Sequence, residues 1–266
     1  VGMSTPAAAA TKVETIDAGL TKVTLLNFND FHGRIDDGMN LTGALGKNFA
    51  CSIVTARGTY GADKSVLLSA GDSVGASSFV SNMQEDIPTI KYLNALGLES
   101  SAVGNHEFDR GFGWLTDTAQ KTADFTYLGA NVYERGTTKA ALPEYAIHEV
   151  SGLKVGVIGV VTTDTPNLVS PTGVSGLDFG DPVDAVNRVA AQLKDGNAAN
   201  GEADIIVAEY HEGPLTAAGL TEAKAGSAKF KRIAEDTAAS VDVIFNGHTH
   251  LAYQWDAATA SGTRVV

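Results

Sequence analysis

The chain has 266 residues, with 31 acidic against 19 basic side chains and a formal net charge of -12, which argues against broad electrostatic binding to nucleic acid or an anionic membrane. A hydrophobic share of 44% supplies a sizeable core, and no apolar run approaches the length of a membrane span. The single cysteine, Cys51, excludes an intrachain disulfide and a thiolate zinc site.

Residues 1–21, beginning "VGMSTPAAAATKVETIDAG", lack a basic region followed by an apolar core and read as a flexible leader, not an intact signal peptide. From Lys22, apolar runs of strand length alternate with stretches of helical spacing. "KVTLLNFND" is a strand running into a polar end. The spacing predicts a helix over Gly43–Arg57, whose "KNFACSIVTA" makes Cys51 a packed small residue and not a nucleophile. "SVLLSAGDS" repeats the strand form, a helix follows at Ile87–Leu96, and "SSAVGNHEFD" is a shorter strand with a similar ending. After a helix over Phe112–Thr122, the alternating "YAIHEV" predicts a strand with His148 as an ordinary member. "LKVGVIGVVTTD" is a buried strand without a cluster of reactive groups at its end. Asp181 and Pro182 then supply an N-cap and a first-turn proline for a helix reaching Lys194. "ADIIVAEYHEG" and "VDVIFNGHTH" are strands separated by a helix over Ser227–Ala239, and "QWDAATASGTRVV" is a hairpin or edge strand interrupted in mid-run. Alternation of this kind implies an α/β domain over residues 22–266, with a largely parallel sheet covered on both faces.

The reactive residues are not scattered. Asp30 and His32 follow "VTLLNFN", Asp72 follows "VLLSAG", and Asn105 and His106 follow "SAVG". His211 follows "IIVAEY", and His248 and His250 follow "VIFNG". Each group sits at the carboxyl end of a predicted strand, the edge that carries the ligand crevice in open α/β sheets. Taken singly, Asp-x-His is a cap and Gly-Asp a turn; their joint occurrence at five strand ends is the signal. Nitrogen and oxygen donors without thiolate suit zinc, manganese, iron or cobalt better than calcium or magnesium. The donors are too many for one ion, whereas two ions about 3.5–4 Å apart, bridged by one carboxylate, would use them all and clamp a phosphoryl group.

"NDFHGR", "GDS", "GNHEFD", "YHEG" and "NGHTH", in this order, resemble the calcineurin-like metallophosphoesterase superfamily and, within it, the 5′-nucleotidase branch. The resemblance implies an α/β/β/α sandwich with largely parallel strands and helices on both outer faces. It implies that Asp30, His32, Asp72 and His250 hold one divalent ion. Asp72 would bridge to a second ion, also held by Asn105, His211 and His248. His106 would be a catalytic imidazole sustained by Asp109. The implied reaction is hydrolysis of nucleotide phosphate esters by in-line attack of a metal-bridging hydroxide, with His106 stabilising charge or protonating the leaving oxygen. Glu107 has no role in that pattern beyond a supporting hydrogen bond or a turn cap. "EYHEG" departs from it by placing Glu209 and Glu212 around His211.

The same resemblance implies a secreted, periplasmic or cell-surface enzyme of nucleotide catabolism. It also implies a C-terminal substrate-binding domain missing from this chain, with Arg34 and Arg110 as the nearby cations. Alternatives that keep the metal site are a 2′,3′-cyclic-nucleotide phosphodiesterase, a nucleotide-sugar hydrolase or an extracellular nuclease, although the acidic balance disfavours long nucleic acid. A further alternative, from another class, is a metal-binding fragment with little turnover.

Overall fold

The computed structural model describes residues 19–36, 43–259 and 262–266. The leader expected over residues 1–21 lies, up to residue 18, outside the described residues. β1 (Thr24–Phe28), β2 (Ser65–Ser69), β3 (Ser100–Ala102) and β4 (Thr126–Leu128) form a wholly parallel four-stranded sheet in that order. After a short β5 (Val132–Glu134), β6 (Tyr145–Val150) and β7 (Leu153–Val161) form an antiparallel pair, and β8 (Leu177–Phe179) turns back onto β5. β9 (Ile205–His211), β10 (Val243–Asn246), β11 (Asp256–Thr259) and β12 (Gly262–Val265) complete a second sheet of order β11-β12-β10-β9-β7-β6. Within it β7, β9, β10 and β12 run parallel, and the expected terminal hairpin is the β11-β12 pair.

The two sheets stack on each other, which corrects the expectation of one sheet covered on both faces. Period-2 alternation explains how. On β2, Val66 and Leu68 join Val155, Val157 and Val207 in an apolar layer between the sheets. Leu67, pointing the other way, packs with Ile90 and Leu93 of the helix Ile87–Leu96. The outer face of the second sheet offers Ile158, Val160 and Ile206 to the helices Pro182–Gln192 and Ala228–Asp236. Val183, Val186 and Val189 recur at helical spacing on the first of these, and Phe230 and Ile233 on the second. Each such fully buried side chain contributes roughly 1.5–3 kcal/mol. The result is the α/β/β/α layering.

Helix ends follow local chemistry. Asp181 accepts hydrogen bonds from the N–H groups of Val183 and Asp184, capping its helix as expected. Ser227 caps the next helix through the Phe230 N–H, so that helix starts at Ala228 and ends at Asp236, inside the predicted span. The stretch predicted over Phe112–Thr122 is helical throughout, with a π-helical turn at Leu115–Ala119. The helix Ala44–Tyr60 packs through Phe49 and Ile53 and buries only Gly46, which leaves Cys51 on its opposite face. Cys51 is exposed, a correction to its reading as a packed residue.

His148 on β6 ties the two sheets at the edge remote from the reactive strand ends. Its Nε2 lies 3.1 Å from Ser100 Oγ and its Nδ1 3.6 Å from Glu99 Oε2, while Arg57 pairs with Glu99 at 3.1 Å. Burial lowers the His148 pKa, so below 6.5 the unfolded chain takes a proton that the folded ring resists. Stability is therefore expected to fall as pH drops below that value, until the folded ring also protonates. In thermal melts across this range, His148→Asn should flatten the slope relative to wild type; an identical slope would remove His148 from the account.

Candidate metal centre

The parallel ladder of β1 and β2 ends at Phe28 and Ser69, and the loops beyond stay stitched together. Asp30 N–H donates to Gly71 O (3.0 Å), His32 N–H to Asp72 O (3.0 Å) and Gly33 N–H to Ser73 O (3.1 Å). To present side chains upward from this edge, the backbone turns left-handed. Asp30 (φ 51°), His32 (47°), Asp72 (52°), His248 (75°) and His250 (56°) all have positive φ. Each non-glycine residue in that region costs on the order of 1–2 kcal/mol, and five of the nine described residues held there are these donors. Glycine is required where loops meet: a Cβ on Gly104 would sit 2.1 Å from Asp72 Oδ1, and one on Gly71 would sit 2.6 Å from His211 Nδ1.

The strand-end donors meet. Asp30, His32 and His250 form one potential ligand triad, and Asp72, His211 and His248 form another. His32 Nε2 lies 3.3 Å from His250 Nε2 and 3.9 Å from Asp30 Oδ1. Asp72 stands between the triads, with Oδ2 3.8 Å from His32 Nε2 and 3.0 Å from His211 Nε2. Asn105 lines the same cleft of about 410 Å³, as do His106, Arg34 and Leu168. The structure thus brings together all seven residues expected as metal ligands.

Their surroundings orient them. His32 Nδ1 pairs with Gly75 O at 2.9 Å and His211 Nδ1 with Ala70 O at 2.8 Å, so both rings turn Nε2 into the cluster. Asp30 accepts the His248 N–H on both oxygens, at 3.2 and 3.0 Å, and the Asn29 amide. Burial lowers the pKa of His32 and of His248, favouring neutral rings with a lone pair to give. Burial also opposes charge on His211, but the Asp72 carboxylate outweighs it and carries that ring up to about 9. For Asp72, burial is overcome by His211, which draws the acid down to about 2. A metal-free cluster therefore holds a proton that a bound cation would displace.

Two atoms test the fit to a cation. Among the described residues, His211 Nε2 and Asn105 Oδ1 are buried without a hydrogen-bond partner. The Asp72 carboxylate, 3.0 Å from His211 Nε2, is the charge partner of that ring. Buried polar atoms are rarely left unsatisfied. An unpartnered Asn105 oxygen beside two carboxylates and pre-oriented imidazoles fits borderline divalent ions.

The remaining residues divide clearly. His106 Nδ1 lies 2.9 Å from Asp109 Oδ2, and that hydrogen bond raises the His106 pKa against burial. Glu107 is fully buried and accepts four backbone N–H groups: Asp72 (3.0 Å), Ser73 (2.9 Å), Val74 (3.3 Å) and Gly104 (2.5 Å). It splices the loop of Asp72 to that of Asn105, and burial together with Asp72 pushes its pKa up to about 7. Arg110 is committed to Asp86 and to Asn82, which leaves Arg34 as the guanidinium on the cleft wall. Glu209 points between the sheets and accepts from Asn27 Nδ2 (2.7 Å) and Ala102 N–H (3.2 Å). Glu212 accepts from Thr162 Oγ1 (2.7 Å) and lies 3.3 Å from Lys229 Nζ. Neither glutamate competes for His211.

The sequence model of one family, described as calcineurin-like phosphoesterase, matches residues 23–252. The chain is 31% identical to the cell wall protein Lmo0130 of Listeria monocytogenes, over 100% of this chain and 37% of that protein. It is 32% identical to a 5′-nucleotidase of Vibrio cholerae, over 72% of this chain and 34% of that one. The chain thus spans about a third of the length of these curated relatives. A 5′-nucleotidase precursor from Thermus thermophilus superposes with a TM-score of 0.69 at 24% identity, over 92% of this chain and 48% of that one, a likeness of fold.

Proposed function

Because this chain belongs to the calcineurin-like phosphoesterase family, we propose that it is a dinuclear-metal phosphohydrolase that releases phosphate from nucleotides, as its 5′-nucleotidase relatives are named to do. The family makes it a phosphoester hydrolase; the two ions and the nucleotide are the proposal. The observation that carries it is Asp72, standing between two donor triads on a strained left-handed turn. One ion would be held by Asp30, His32, Asp72 and His250, the other by Asp72, Asn105, His211 and His248. When bound, such ions supply Lewis acidity and bring water deprotonation to near neutral pH.

The chain's own groups do the rest. Arg34 faces the phosphoryl oxygens from the cleft wall. His106 keeps Nδ1 on Asp109 and so presents Nε2 to the leaving oxygen, and the same hydrogen bond favours its protonated form. Small esters suit a cleft of this size in a strongly acidic molecule better than a nucleic acid chain. The cell wall relative supports a place of action outside the cytoplasm.

Elemental analysis of the purified chain, with phosphate release from nucleoside mono-, di- and cyclic phosphates, tests this reading. Two ions per chain and metal-dependent release are expected. His106→Ala should keep both ions and lose roughly 10²–10⁴ in turnover. Unchanged turnover would take His106 out of the chemistry.

A further inference from the structure

The cleft over the donor cluster is walled by imidazoles, a carboxylate, a carboxamide and a guanidinium, with one exception of size. Among the described residues lining it, Leu168 is the single large apolar side chain, and it is 47% exposed. An isolated exposed leucine needs no explanation elsewhere on a surface. Here it supplies apolar area where every other large group is polar, and its neighbour Val169 is the one that packs into the core.

The segment that carries it is pinned at both ends. At the near end, Thr165 Oγ1 donates to Thr162 O (2.8 Å) and Asp164 pairs with Lys229 (2.6 Å). Thr162 in turn holds Glu212, so the acidic residue after His211 serves this segment and not the ions. At the far end, Gly173 packs so closely on Gly111 that a Cβ on Gly173 would lie 2.9 Å from Gly111 Cα. Gly111 closes the stretch bearing His106 and Asp109. Leu168 is thereby held on the wall of the cleft that His106 also lines.

We propose that Leu168 is a specificity-determining residue. It packs against the carbon skeleton of the leaving alcohol and selects esters whose alcohol carries an apolar ring over those of small hydroxylated alcohols. This rests on the phosphohydrolase reading above and concerns how this chain itself meets the alcohol half of its substrate.

The test compares kcat/KM for benzyl phosphate and glycerol 3-phosphate, both alkyl esters, in the metal-loaded chain and its Leu168→Ala variant. Wild type is expected to prefer the benzyl ester. Leu168→Ala should lose about tenfold on that ester, chiefly in KM, the scale of a few methylenes at a partly open wall, and stay within about twofold on the glycerol ester. Leu168→Met should restore the preference, and metal content should be equal in all three. Equal losses on both esters, or no loss on either, overturns the assignment. Failure of wild type to hydrolyse either ester would instead overturn the phosphohydrolase reading beneath it.

Discussion

Asp72→Ala is expected to abolish stoichiometric binding of two ions and to cut turnover by more than the roughly 10²–10⁴ assigned to His106→Ala. The carboxylate serves three neighbours at once. Oδ1 accepts the His106 N–H at 2.9 Å, and Oδ2 approaches His211 and His32 from opposite triads. Its removal strips a donor from each triad at the point where they join, and frees the segment that carries His106. Alanine is also poorly suited to the φ of 52° that aspartate tolerates there. Asp72→Asn separates these effects, since the amide keeps shape and a hydrogen-bond acceptor but not the charge. In chelator, relief of repulsion on Glu107 should offset part of its cost. With zinc or manganese added, wild type should gain far more in thermal midpoint than Asp72→Asn, because a ligand that binds only the native state stabilises it in proportion to its affinity. Two ions per chain in Asp72→Ala, or equal metal-induced shifts in wild type and Asp72→Asn, would show that Asp72 is not the shared ligand.

How far the sequence could be read follows from the range of each interaction. Asp30, His32, Asp72, His211, His248 and His250 were legible as a set because each follows an apolar run, and parallel strands deliver their carboxyl ends to one edge. Long helices announced themselves by periodicity and, at Asp181, by a local cap. β4, β5 and β8 have three residues each, too few for an alternating pattern to register, and none was expected. The split into two sheets was equally silent in the strand-helix alternation, because Val66 and Leu67 read alike whether they face another sheet or a helix. Only the resemblance supplied it. Cys51 misled for a related reason: an apolar neighbourhood in sequence did not say that Phe49 and Ile53 take the packed face. The left-handed turns beneath the donors left no trace except an abundance of Asp, His and Gly.

Glu107 is the residue whose role depended most on tertiary structure, and its removal should cost the most stability. Glu107→Ala is expected to destabilise the metal-free chain by about 4 kcal/mol or more, since a buried donor left unpaired costs about 1–3 kcal/mol and four N–H groups lose their acceptor together. That is a large share of the roughly 5–15 kcal/mol that holds a domain folded. Water entering the vacated volume would recover part of it, but Gly104 and Asp72 approach too closely for their loops to relax far. Glu107→Gln should fall between. Its amide oxygen can still accept from the Asp72 or the Ser73 side, while its NH₂ group confronts donors on the other. Because Glu107 joins the loop of Asp72 to that of Asn105, both variants should also weaken metal binding, by the roughly 10–100-fold typical of groups that orient ligands. Denaturant midpoints in chelator, followed by metal titration of whatever folds, measure the two effects separately. A Glu107→Ala chain with the wild-type midpoint would mean that those four N–H groups find other partners and that the splice is dispensable.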